Sequence, residues 1–269
     1  MKKRMTFLML FLFVFILVSY STFFIKNDNF AVCVPSIIRK LSLEKKRSSN
    51  LRRQVGELSC RLNGIGPTGG FCLNEMNPVQ DVGGNIFWSS GLSNELAKLF
   101  SGGSVLDLGA GLGNYEADWE RKGLIGKSDG ILSVRMYDGA ENVEKVTGGR
   151  ISWADLTEPL EDVLPADWVL SLEVGEHISA GSASEVFIQN LHVHNKRGIV
   201  VSWGVPGQDG HFHVNNLPSS TVIKSFISLG SYSFDSEMSE VLRKAASSGT
   251  CCPWFANTIY VFRNNITVN

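Results

Sequence analysis

Asp107, Gly109, Gly111 and Gly113 stand at alternate positions in Ser104-Val-Leu-Asp-Leu-Gly-Ala-Gly-Leu-Gly-Asn114. A carboxylate followed by three spaced glycines can hold a ligand against the backbone. Glycine is used where a chain bends sharply, or where it must touch a ligand with no Cβ in the way. The spacing is Gly-x-Gly-x-Gly, whereas dinucleotide pyrophosphate sites use Gly-x-Gly-x-x-Gly. A pyrophosphate calls for bare N–H groups at a helix start. A nucleoside without phosphates calls for a close, flat backbone, here including Ala110, with a carboxylate beside it. Asp107 suits the second ligand.

Two further acids extend that chemistry. Asp138, in Met136-Tyr-Asp-Gly-Ala140, follows Gly113 by 25 residues. A carboxylate there can accept hydrogen bonds from both ribose hydroxyls. A turn closed before Gly139 would use the same residue. Asp155, in Trp153-Ala-Asp-Leu156, can accept from the exocyclic amine of adenine. It would serve equally as an N-cap or turn residue.

Proton handling needs titratable groups near the same place. Ser171-Leu-Glu-Val-Gly-Glu-His-Ile178 supplies Glu173, Glu176 and His177. Paired carboxylates and a histidine suit proton transfer or substrate orientation. Glu173 is placed with the cofactor-binding set. Glu176 and His177 would also serve as helix caps or cover the adenine, and His177 is read on that side. Gly210-His-Phe-His-Val-Asn-Asn216 adds His211 and His213, which share a face of extended chain. As a metal pair they lack a third ligand in sequence, so no metal is expected. Glu176, His211 and His213 are the catalytic candidates. His192 and His194 end a helix, where its dipole favours them.

Elements must bring these residues together. Apolar runs predict strands at about 104–109, 131–137, 150–153, 167–172, 198–203, 231–235 and 258–262. Helical spacing is read over 85–100, 114–121 and 182–194, and from Pro218 to a stop at Gly230. Strands alternating with helices imply an α/β fold with a mainly parallel, doubly wound sheet covered on both faces. Such a sheet binds its ligand beyond the carboxyl ends of its strands. Every motif above lies at such an end.

Together the segments 69–73, 105–113, 137–140, 154–158, 170–178 and 210–216 resemble the class I S-adenosylmethionine (SAM) dependent methyltransferases. The resemblance covers residues 69 to about 263, in the expected order. It implies a Rossmann-like sheet of seven strands, the last antiparallel. It also implies SAM as cofactor. Asp107 and the stretch from Gly109 to Gly113 would line the methionine and nucleoside, Asp138 would hold the ribose and Asp155 the adenine. No Asn-Pro-Pro-Tyr motif follows the fourth strand, which counts against methylation of nucleic-acid amino groups.

The flanks carry separate information. Lys2, Lys3 and Arg4 precede an uncharged run of 21 residues, 5–25. As a helix that run would measure about 31 Å, the thickness of a bilayer core. No good cleavage site follows it. The expectation is a signal anchor at 1–25, a basic stem at 26–66 and a catalytic domain at 67–269. This would be a single-pass type II membrane protein of the secretory pathway, with a cytosol-facing domain as the alternative. Residues 26–61 hold nine basic and three acidic residues, while 62–269 hold 13 basic and 23 acidic. A domain so negative is a poor nucleic-acid binder. The cysteines are Cys33, Cys60, Cys72, Cys251 and Cys252, without zinc spacing. A pairing of Cys60 with Cys72 is open to a secreted domain. The lone glycosylation sequon is Asn265-Ile266-Thr267.

The expected function is methyl transfer from SAM to an unidentified oxygen or nitrogen acceptor, a small molecule, glycan or protein. Two alternatives are a non-catalytic module of the same fold and an NAD-dependent oxidoreductase. The glycine spacing and the lack of a Tyr-x-x-x-Lys pair count against the oxidoreductase.

Overall fold

The structure is a computed structural model. It describes residues 28–63, 66, 72–73, 88–247 and 251–265. The chain divides into two units, Met1–Arg52 and Arg53–Asn269. The division falls within α1 (Asp28–Asn63), a continuous helix of 36 residues. In sequence, apolar spacing over 51–62 points to only a short helix there. In the first unit the side chains of 36–52 are exposed.

The expected membrane placement is corrected. No helix among the described residues is long and apolar enough to cross a membrane. Arg39, Lys40, Glu44, Lys45, Lys46 and Arg47 crowd the middle of α1, and charges are costly inside hydrocarbon. The type II secretory localisation therefore has no support from the described helices. The run 5–25 that suggested an anchor lies outside the described residues, as do most of 64–71 and the sequon's Ile266 and Thr267.

The second unit is built on one sheet. Its strands are β1 (Ser104–Leu108), β2 (Ser133–Asp138), β3 (Ser152–Trp153), β4 (Ala166–Ser171), β5 (Asn195–Ser202), β6 (Tyr232–Phe234) and β7 (Ile259–Asn264). Their order is β3-β2-β1-β4-β5-β7-β6. The pairs among β1 to β5 are parallel, and β7 runs antiparallel to both β5 and β6. This is the mainly parallel sheet with an antiparallel last strand that was expected. The order reverses between β1 and β4, so a crevice opens beyond their carboxyl ends.

Helices α2 (Ser90–Leu99), α3 (Asn114–Arg121), α4 (Val143–Val146), α5 (Ser182–Val193), α6 (Ser219–Ile227), α7 (Ser236–Ser247) and α8 (Phe255–Thr258) complete the unit. Alternation along the strands gives two apolar faces. Val105, Trp168, Leu170, Val200 and Val261 pack on one side with Leu92, Leu96 and Leu242. Leu106, Leu108, Val169, Ile199 and Phe262 pack on the other with Phe187, Leu191 and Phe226. Helix α7 went unread in the sequence, although its buried Leu242 and Ala246 help close the first face.

Helix α3 starts the ligand loop's far side, so its anchoring matters. The buried Asp118 accepts from Ser93 Oγ at 2.7 Å and from Lys122 Nζ at 2.5 Å, and it pairs with Arg121. Trp119 Nε1 donates to the Ser93 carbonyl at 3.0 Å. Asp118→Ala is expected to destabilise the fold by about 1.5–3 kcal/mol, the scale of hydrogen bonds to a charged group. Urea unfolding measures this, and an unchanged midpoint would mean that solvent replaces those bonds without cost.

Candidate functional site

The glycine loop leaves β1 and enters α3. Gly109, Gly111 and Gly113 all have positive φ, at 91°, 57° and 69°. An L side chain rarely adopts that conformation, which explains the residue type at all three positions. They differ in surroundings. A Cβ on Gly109 would meet Val174 Cγ2 at 2.2 Å, so this loop lies directly against the loop after β4. A Cβ on Gly113 would meet Arg150, Met136 and Ile151 at 3.0–3.1 Å. A Cβ on Gly111 would meet nothing within 4 Å. Of the three, Gly111 is therefore the glycine that has open space where a Cβ would stand.

The loop is pinned by carboxylate and guanidinium. Gly109 N and Ala110 N both donate to the Tyr137 carbonyl, at 2.8 and 3.1 Å. Asp138 Oδ2 accepts from Gly111 N and its Oδ1 accepts from Ala140 N, each at 2.7 Å. Arg150 Nη2 donates to the Leu112 carbonyl at 2.7 Å, and its Nη1 meets Glu116 Oε2 at 2.6 Å. Arg150 escaped the sequence reading because a lone arginine before a short strand carries no spacing signal.

Two carboxyls beside the loop are held above their ordinary range. Asp107 is buried on β1, and its carboxyl is pushed up to about 8. Burial is the main cause, followed by the charges of Asp138 and Glu116. Burial also raises Asp138, against the two amides that stabilise its charge. A phosphate brought here would meet these carboxylates, whereas a cation would relieve them.

Asp155 closes β3 as a turn residue. Its Oδ1 accepts from Thr157 N at 3.0 Å and from Thr157 Oγ1 at 2.6 Å. Glu173 has φ 54° and turns its carboxylate toward β5 rather than the glycines. It accepts from Ser202 Oγ and from Gln208 Nε2, both at 2.8 Å. Burial raises its carboxyl despite those donors.

The catalytic candidates separate. Glu176, in the short helical turn Gly175–His177, is wholly buried at 0% exposure. Burial and then the Glu173 charge hold its carboxyl well above the usual range. Val214 N and Asn215 N both donate to the Glu176 carbonyl, at 2.8 and 3.0 Å. These bonds tie the loop after β5 onto the turn after β4. His213 thereby reaches His177, with ring centroids 4.9 Å apart and nearly perpendicular. His211 is exposed, its ring against Phe212. Burial, then His213, pushes His177 down to about 4. The structure thus brings Glu176 and His213 together, leaves His211 outward and adds His177. The missed signal was topological: β4 and β5 are neighbours, so the loops that follow them must meet.

No family model matches the chain, and no curated protein matches it. Solved structures do. The [4+2]-cyclase SpnF is similar at 12% identity over 80% of this chain and 97% of that one, with a TM-score of 0.46. The N-methyltransferase NodS from Bradyrhizobium japonicum WM9, solved with S-adenosylhomocysteine (SAH), is similar at 13% over 65% and 84%, with a TM-score of 0.44. Magnesium protoporphyrin IX methyltransferase from Synechocystis PCC 6803, solved with bound SAM, is similar at 15% over 65% and 76%, with a TM-score of 0.45. Likenesses of this size carry no residue role across to this chain.

Proposed function

We propose that the chain binds SAM in the crevice beside Gly111 and transfers its methyl group to an acceptor held against the loops after β4 and β5. The observation that carries this reading is the open Gly111, set between the carboxylates of Asp107 and Asp138 on a doubly wound sheet. The backbone takes the flat nucleoside there. Asp138 keeps lone pairs for the ribose hydroxyls while holding the loop. Once ionised, Asp107 offers a negative charge to a cationic cofactor, and that same charge disfavours the pyrophosphate of NAD.

The sulfonium is already activated, so the protein chiefly aligns the acceptor for in-line attack. Such alignment is worth up to about 7–11 kcal/mol of the barrier. The acceptor's proton must also leave, and His213, on the loop after β5, is the candidate to take it.

Binding should be linked to protons. With its carboxyl raised to about 8 in the folded chain, against an ordinary 3.8, Asp107 stays protonated through neutral pH. Its raised value opposes stability progressively as pH rises from about 4 to 8, because the unfolded chain ionises first. SAM binds best to the ionised form. Its affinity should therefore tighten between pH 6 and 8 by up to about tenfold per unit and level off above 8. Asp107→Asn should remove that dependence. Calorimetry on both proteins at several pH values checks it; parallel profiles would separate Asp107 from the cofactor. Incubation with methyl-labelled SAM and fractionated metabolites then tests transfer itself, and label confined to SAM across all fractions would speak against catalysis.

A further inference from the structure

We infer that Glu176, His177 and His213 form a binding site for a divalent transition-metal ion, and that the acceptor is a hydroxyl compound bound to that ion. The second half rests on the methyl-transfer reading; the first does not. One ligand atom from each of the three residues lies within 4.8 Å of the others.

The independent observation is a set of orphaned lone pairs. Both carboxylate oxygens of Glu176, Nδ1 of His213 and Oδ1 of Asn216 are buried without a hydrogen-bond partner. Buried polar atoms in native structures are nearly always paired, and an unpaired buried carboxylate is among the costliest cases. With Glu176 ionised, the three oxygens are all acceptors and cannot satisfy one another. A proton on Glu176, or on Nδ1 of His213, would pair two of these atoms at most. A cation would answer several at once.

The surroundings are built for this. His177 Nδ1 lies 3.3 Å from the Phe212 carbonyl, to which it can donate, leaving Nε2 as the ligating nitrogen. Orienting a ligating imidazole through its other N–H is the usual arrangement at metal sites. Phe212 adopts φ 57° there, an uncommon conformation for its residue type. Two glycines make room for the ring of His213. A Cβ on Gly210 would fall 2.0 Å from its Nε2, and one on Gly204 would fall 3.2 Å from its Nδ1 and 2.7 Å from Asn216 Oδ1. Two imidazoles and one carboxylate suit zinc, iron(II) or manganese(II), with positions left open for a substrate.

Location supplies the role. Val174 touches Gly109, so the cluster borders the proposed cofactor crevice. A hydroxyl bound to the ion becomes more acidic and loses its proton to solvent or a nearby base. Its oxygen then attacks the methyl carbon. The C–O bond forms as the S–C bond breaks, its electron pair staying on sulfur, to give a methyl ether and neutral SAH.

The test titrates Co2+ into metal-stripped full-length protein, followed by visible absorption and calorimetry, with SAH affinity measured alongside. Wild type should bind one equivalent and melt at a higher temperature with it. Gly210→Val, which displaces His213 without removing a ligand, should weaken Co2+ by about 10–100-fold. His213→Ala and Glu176→Gln should weaken it at least as much. SAH binding should persist in all three variants, showing that they fold. Absence of Co2+ binding in the wild type, or wild-type affinity in the variants, would overturn the site. Co2+ binding that is lost in the variants, in a protein that never binds SAH, would uphold the site and sink the hydroxyl-acceptor role.

Discussion

Gly111→Val should lose SAM affinity by more than about 100-fold, or about 2.7 kcal/mol. Gly111 has φ 57°, and its would-be Cβ points into space free of protein within 4 Å. Two added methyl groups would occupy the volume that the nucleoside needs. The substitution also strains the backbone, by about 1–2 kcal/mol for a left-handed residue. Gly102 supplies the control. It has φ 69° and nothing within 4 Å of its would-be Cβ, but it sits before β1, at the opposite end of the strand from the crevice. Gly102→Val should carry a similar strain and bind SAM normally. Equal loss of affinity in both variants would mean that strain, not ligand exclusion, explains Gly111.

The second large effect concerns Asp138. Asp138→Ala should weaken both SAM and SAH by about 1.5–3 kcal/mol, because both carry the ribose. The structure adds a further consequence. The two Asp138 oxygens hold Gly111 N and Ala140 N. Alanine frees both amides, and the glycine loop loosens with them. Asparagine can still accept from one amide but turns an NH2 toward the other, so Asp138→Asn should bind no better than alanine. If asparagine binds like wild type, neither the charge nor the second acceptor matters, and Asp138 is only a turn residue.

Much of this was legible in the residues, for reasons that can be named. Strand β1 and helix α3 were readable because an apolar run, three glycines and Asn114 punctuate the chain sharply; the α3 limits Asn114–Arg121 match the reading. The second strand was read early, at 131, because Ile131 and Leu132 are apolar; Ile131 instead bridges Ile125, and β2 starts at Ser133. Helix α1 was not legible as one element, since dense apolar spacing begins only at Leu51 and the stretch before it is exposed and charged. At the site, Asp107, Asp138 and the glycines announced themselves by lying at strand ends. Glu173 did not reveal its direction, because its left-handed backbone cannot be inferred from a glutamate. His177 went unread as a neighbour of His213, because their meeting depends on backbone bonds to the Glu176 carbonyl. The disulfide between Cys60 and Cys72 was one pairing among several open to five cysteines, and the fold selects it.

The most direct measurement is calorimetric titration of the wild-type chain with SAM, SAH and NAD at pH 8. Asp107 is about half ionised there, given a carboxyl raised to about 8. The expected result is one equivalent each of SAM and SAH bound, and no heat from NAD. Binding of NAD, or a folded protein that binds neither SAM nor SAH, would contradict the assignment of the Gly111 crevice.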